Sequence, residues 1–222
     1  MGKTILTPKQ SNFLELAASE KQITKRFYLT GGTALAEFYL KHRLSQDIDL
    51  FSERAEVDPK IIEAFLKRVS SHLGVAHIKR SQFLGLFSYK LIYKDKEELK
   101  VDFSYYPFPR IEKGKKFRQL DVASIYDIAV DKLHTIFMKP RGRDYVDLYF
   151  ILKEGDYSLK RLILDAKAKF DWDIDKVNLA SQFIRVKEFK EALPMLGPFN
   201  RNDLEDFFLN LAKSLKKEIF KD

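Results

Sequence analysis

Residues 27–51 constrain this chain more than any other stretch, because they prescribe a strand, a glycine turn, a helix and a second strand bearing two acids. Phe27-Tyr28-Leu29-Thr30 is a short β-prone run, and Gly31-Gly32 stops it. Thr33-Ala34-Leu35-Ala36-Glu37-Phe38-Tyr39-Leu40 then has helical composition and spacing. Asp47-Ile48-Asp49-Leu50-Phe51 alternates charge with bulk, as a half-buried strand does. Asp47 and Asp49 therefore share one face and Ile48 and Leu50 the other. Two carboxylates in one small volume repel unless a cation lies between them, so a divalent metal is the expected companion, Mg²⁺ before others. A lone D-x-D also fits a strand with one wet face, so the motif alone leaves both readings open.

The turn before it narrows the choice. Thr30-Gly31-Gly32-Thr33 lies where a strand feeds a helix, with backbone amides free to cradle a phosphate; the plain alternative is a tight turn without a ligand. No Gly-Lys-Ser/Thr follows the turn and it does not fit G-x-G-x-x-G, which excludes a Walker loop and a dinucleotide fingerprint there. A third acid, Asp102, lies between Val101 and Phe103 in a β-prone run, so it faces outward with Ser104 while its neighbours face the core. Three strand-borne acids on one sheet face suit a pair of divalent ions that hold a nucleoside triphosphate and activate a hydroxyl. Taken alone, Asp102 is equally a solvated position on an edge strand.

The rest of the chain supplies the frame. Thr7, Pro8 and Gln10 fit a helix start whose inner face is Phe13, Leu14, Ala17 and Ala18. Asp58-Pro59 opens a second helix with Ile61/Ile62, Phe65/Leu66, Val69 and Leu73 on one stripe. Phe83–Tyr93 and Leu99–Tyr106 read as a hairpin around Lys94-Asp95-Lys96-Glu97-Glu98. Beyond Ser124 the pattern is helical, with helices expected over 124–138, 144–153, 158–169, 175–191 and 201–220. This gives an α+β chain: an α/β core over 1–122 and a helical domain over 123–222.

In the helix from Ser124, Ile125, Ile128, Ala129, Leu133 and Ile136 form one stripe, and Lys132 falls in its middle. An ammonium there must snorkel or meet an anion, and a triphosphate would serve. Lys139, Arg141 and Arg143 follow in a basic loop suited to phosphate contacts. Asp144 suits a helix N-terminus, whereas Asp147 is set to be enclosed, with Arg143 or Lys132 as its partner.

Composition bounds the chemistry. Forty Lys plus Arg against thirty-two Asp plus Glu leave a formal charge of +8, which attracts polyanions such as nucleic acid or acidic membrane. The absence of cysteine excludes disulfides, thiol catalysis and cysteine-ligated zinc or iron–sulfur centres. The four histidines lack ligand spacing, and no G-x-S-x-G elbow is present. Met1-Gly2-Lys3-Thr4 begins no apolar h-region and no long uncharged stretch occurs, so a cytoplasmic protein without a membrane partner is expected. Tyr105-Tyr106-Pro107-Phe108-Pro109 offers a stacking surface for a base, and Lys213, Lys216 and Lys217 a basic helix face.

Five blocks together, Tyr28–Ala36, Arg43–Phe51, Val101-Asp102-Phe103, Asp131-Lys132-Leu133 and Arg143–Tyr149, resemble the AbiEii/AbiGii toxin family of the nucleotidyltransferase superfamily. The resemblance covers residues 27–152. It implies a polymerase-beta-like minimal nucleotidyltransferase core with a mixed sheet, followed by a helical part. It further implies a toxin of a bacterial type IV toxin–antitoxin or abortive-infection system, with a cognate antitoxin, that transfers NMP from an NTP to an acceptor hydroxyl such as a tRNA 3′ end. By position Gly31, Gly32 and Thr33 match the phosphate-binding turn. Asp47 and Asp49 match the metal pair, and Asp102 the third acid, for two Mg²⁺ or Mn²⁺ ions. Lys132 matches the triphosphate contact, and Asp144 or Asp147 the acid of the last motif. Two other readings stay open: a non-catalytic RNA-binding protein on this fold, and a metal-dependent phosphodiesterase.

Overall fold

In a computed structural model of the chain, residues 4–219 are described. Met1-Gly2-Lys3, the side chain of Lys217, and Phe220 at the end of the last expected helix lie outside the described residues. The first helix, α1 (Pro8–Ser19), begins at a closed capping box. Thr7 Oγ1 accepts from the Gln10 amide at 3.2 Å, and Gln10 Oε1 accepts from the Thr7 amide at 3.0 Å. After the short α2 (Lys21–Thr24), β1 (Tyr28–Thr30) runs directly into α3 (Gly31–Leu35), which continues over Ala36–Leu40 with wider, π-helical bonding. β2 (Ile48–Ser52) and α4 (Pro59–Leu73) follow; α4 is capped by Asp58 and buries Ile62, Phe65, Leu66, Val69 and Leu73, as its periodicity requires.

The remaining strands are β3 (Val75–Phe83), β4 (Leu86–Tyr93), β5 (Glu98–Tyr105), β6 (Lys116–Phe117) and β7 (Leu120–Val122). They form a mixed sheet of seven strands in the order β3-β4-β5-β2-β1-β7-β6. β1 is antiparallel to β2 and parallel to β7, while β2 is parallel to β5. Leu29, Ile48, Leu50, Tyr89, Val101 and Phe103 are buried together, with the Phe103 ring edge-on to Phe27 at 5.1 Å and to Tyr89 at 5.9 Å. The strand bearing Asp102 is internal: β5 pairs with both β4 and β2, and Asp102 is 7% exposed. The alternative of a solvated edge position for Asp102 therefore fails.

The helical part comprises α5 (Ile125–Met138), α6 (Gly142–Glu154), α7 (Leu159–Phe170), α8 (Lys176–Ile184) and α9 (Arg201–Ile219). The helix expected over 175–191 instead tightens to a 3₁₀ turn at Arg185–Glu188 and stops there. Phe183 and Val186, three apart and both buried, suit that tighter turn, and Pro194 lies ahead. α5 is buried almost around its circumference, so its internal charges need internal partners. Lys169 of α7 supplies one, with its ammonium 3.2 Å from Asp127 and 2.7 Å from Asp131. The chain divides into two compact units, one through Ser124 and one from Ile125. Among the described residues no helix is long and apolar enough to cross a membrane.

Candidate active site

The register of the sheet brings the acids of the first unit together. Asp49 on β2 pairs with Thr30 of β1 on one side and Asp102 of β5 on the other. Asp47 stands one residue before β2. Lys100, two residues before Asp102 on β5, shares its face, and its ammonium lies 2.5 Å from Asp102 Oδ2 and 3.8 Å from Asp47 Oδ2. Ser88 Oγ, opposite Asp102 on β4, donates to Asp102 Oδ1 at 2.5 Å. The Asp102 side chain is 9% exposed, whereas that of Lys100 is 41% exposed and so reaches in from the wet side. Burial acts to lower the Lys100 pKa, but the hydrogen bond to Asp102 and the charges of Asp102, Asp47 and Asp49 outweigh it and raise it above its ordinary value.

The glycine turn is built against these acids. Gly31 has φ +72°, and a methyl group there would lie 2.2 Å from Asp49 Oδ2, so both backbone and space demand glycine. A methyl group on Gly32 would lie 2.7 Å from Arg43 Nη2 and 2.9 Å from Ser45 Oγ. Thr33 Oγ1 donates to the main-chain oxygen of Asp47, so this hydroxyl fixes the segment that carries the first acid. From the other side Gln10 Nε2 donates to Ser45 O at 2.7 Å and Gln46 O at 3.1 Å. One glutamine thus caps α1 and anchors the approach to Asp47.

The second unit holds its own cluster. Lys132 places its ammonium 2.7 Å from Asp144 and 2.7 Å from Asp147, and both carboxylates are fully buried. Lys132, not Arg143, is therefore the Asp147 partner. Arg141 joins through its Nε, 2.8 Å from Asp144 Oδ2, and its own amide donates to the same oxygen at 3.2 Å, which caps α6. Burial opposes ionisation on both sides, but the opposite charges prevail: the Lys132 pKa is raised and the Asp144 pKa lowered. Arg143, next in α6 after Gly142, is half-buried.

The donor set of the first unit fits a hard divalent cation, since every donor is a carboxylate oxygen. Among the described residues no three carboxylates or imidazoles converge to enclose an ion in this arrangement, and the Lys100 ammonium occupies the space between Asp47 and Asp102. Sequence reasoning passed over Lys100, Ser88, Arg43 and Ser45. Strand parity would have found Lys100 from Asp102; Arg43 and Ser45 stand inside the Arg43–Phe51 block, and Ser88 meets Asp102 only through strand pairing. The aromatic run after β5 packs partly on itself: Tyr106 lies 4.8 Å from Phe51 and 4.9 Å from Phe108.

Comparison with known proteins bears on this geometry. A family model described as nucleotidyl transferase AbiEii toxin, type IV TA system, matches residues 13–221. An uncharacterized protein of Aquifex aeolicus (strain VF5) is 26% identical over 199 residues, spanning 89% of this chain and 88% of its own. The crystal structure of JHP933 from Helicobacter pylori superposes with TM-score 0.59 at 22% identity, covering 96% of this chain and 94% of that one. A second H. pylori crystal structure gives TM-score 0.59 at 20% identity, covering 96% and 97%.

Proposed function

From the premise that this chain belongs to the AbiEii nucleotidyl transferase toxin family of type IV toxin–antitoxin systems, we propose that it is a divalent-metal-dependent enzyme that moves NMP from an NTP to the 3′ hydroxyl of an RNA, with tRNA as the acceptor. The observation that carries this reading is the meeting of Asp49 and Asp102 across β2 and β5, with the Gly31 backbone against the Asp49 carboxylate. Asp47, Asp49 and Asp102 would hold Mg²⁺ or Mn²⁺, whose charge would stabilise the negative charge of the transition state and acidify the attacking hydroxyl. We assign the phosphate to the Gly31-Gly32-Thr33 turn, where β1 feeds α3. Asp102, enclosed and facing the same side as Asp49, is the carboxylate nearest in kind to a general base for the acceptor hydroxyl. Within the second unit the Lys132 ammonium rests on Asp144 and Asp147, so we assign Lys132 to holding that unit together and not to the triphosphate. The formal charge of +8 favours RNA as the acceptor class, and an antitoxin partner follows from the family.

The test is incorporation of label from each of the four NTPs into total tRNA with Mg²⁺. Wild type is expected to label RNA with at least one NTP, and folded Asp49→Ala with none. A wild type inert with all four would overturn the proposal. RNA shortening without NTP would establish the phosphodiesterase instead, and RNA binding without incorporation the non-catalytic binder.

A further inference from the structure

We propose that Lys100 is an internal counter-ion of the Asp47, Asp49 and Asp102 cluster, which a divalent cation must displace to load the site. This rests on the metal-binding reading of those acids and adds a residue to it. The ammonium bridges carboxylates from two separate segments, at 2.5 Å from Asp102 Oδ2 and 3.8 Å from Asp47 Oδ2. Asp102 Oδ1 accepts from Ser88 at 2.5 Å and Oδ2 from Lys100 at 2.5 Å, so each oxygen already carries a donor, and the charged one on Oδ2 opposes an incoming cation. Mg²⁺ lies about 2.1 Å from its oxygen ligands, so an ion on Oδ2 with Lys100 in place would be no more than about 4.6 Å from the ammonium. Like charges at that separation, sharing one acceptor, repel strongly, and the two occupants exclude each other.

The sheet dictates which partner moves. Asp102 is enclosed between β4 and β2, whereas the Lys100 side chain is 41% exposed on a flexible four-carbon arm. Without metal, Lys100 keeps three mutually repelling carboxylates gathered, so the site is assembled before any ion arrives. With metal, the divalent charge takes over that task, and the arm swings toward solvent on the face where an anionic substrate would approach. The exchange replaces one ion pair with metal–carboxylate bonds and breaks no covalent bond.

Calorimetric titration of Mn²⁺, as a stand-in for Mg²⁺, into the nucleotide-free full chain tests this. Lys100→Met and Lys100→Gln are expected to bind Mn²⁺ roughly tenfold more tightly than wild type, because the competing charge is gone. Lys100→Arg, which keeps the cation, should stay near wild type. The neutral variants should also melt at a lower temperature than wild type without metal, and the gap should close when Mn²⁺ is added. Neutral variants that bind Mn²⁺ no more tightly than wild type overturn the proposal and leave the metal reading standing. Absence of Mn²⁺ binding from wild type and variants alike overturns the metal reading itself and this inference with it.

Discussion

Around Lys100 one ammonium faces three carboxylates, Asp47, Asp49 and Asp102, whereas around Lys132 two cations, Lys132 and Arg141, face two carboxylates, Asp144 and Asp147. The first group has a half-exposed lysine, whereas the acids of the second are fully buried. Both draw on the same residue types, yet their access to water differs. An open cluster within reach of water can accept a divalent ion, whereas a closed one already has its partners. Removing a member should therefore act on ligand binding in the first and on stability in the second.

The largest expected effect breaks that contrast if it fails. Lys132→Met leaves Asp144 and Asp147 buried without their ammonium and should cost about 3–5 kcal/mol in urea unfolding. Asp49→Asn keeps the shape of a half-buried side chain and should cost clearly less than Lys132→Met while abolishing nucleotide transfer. Equal costs for the two variants would end the distinction. The closed cluster also carries a pH signature. Burial would push the Asp144 carboxyl up, but Lys132 and Arg141 hold it below the ordinary carboxylate value. A depressed native pKa stabilises the fold fully above the unfolded value of about 3.9, and that stability is lost as pH falls through the lower native value. Urea midpoints should therefore drop steeply in acid for wild type and less steeply for Asp144→Asn.

A smaller effect sharpens the open side. Gly31 and Gly74 have nearly equal positive φ, +72° and +71°, but only Gly31 has a carboxylate where a methyl group would go; Gly74 has nothing within 4 Å. Alanine at either position should cost about 1–2 kcal/mol for the left-handed backbone. Gly31→Ala must in addition push Asp49 aside, so it alone should weaken Mn²⁺ binding. If Gly74→Ala weakens it equally, backbone strain and not the Asp49 contact controls the site.

The contrast between the clusters also explains what the sequence made legible. The strand, glycine turn, helix and acid-bearing strand are local, so residues 27–51 betrayed them by spacing alone. Lys132 was marked as anomalous because it interrupts an apolar stripe, and its carboxylates lie within fifteen residues of it on the next helix. β3 escaped notice because an edge strand that is exposed from Ala76 to Phe83 has no buried face to imprint an alternation. β6 and β7, of two and three residues, are too short for any period. Lys100 was passed over for a different reason: one lysine among forty Lys and Arg acquires meaning only when the strand pairing puts it beside Asp47. Asp127 and Lys169 are forty-two residues apart, and only the packing of α5 and α7 joins them.

The smallest effect concerns how the open cluster is held. Gln10 uses its oxygen to cap α1 and its nitrogen to hold Ser45 and Gln46, just before Asp47. Gln10→Glu separates the two tasks, because a carboxylate still accepts from the Thr7 amide but meets the two carbonyl oxygens without a donor. The helix start should survive, and the loss of the tether should cost about 1–2 kcal/mol. Gln10→Ala loses cap and tether together, without placing a charge against the carbonyls. If the tether positions Asp47, both variants should bind Mn²⁺ more weakly by a similar factor while their melting temperatures differ. Weakened binding that tracks melting temperature instead would mean that Gln10 serves the fold and reaches the acids only through it.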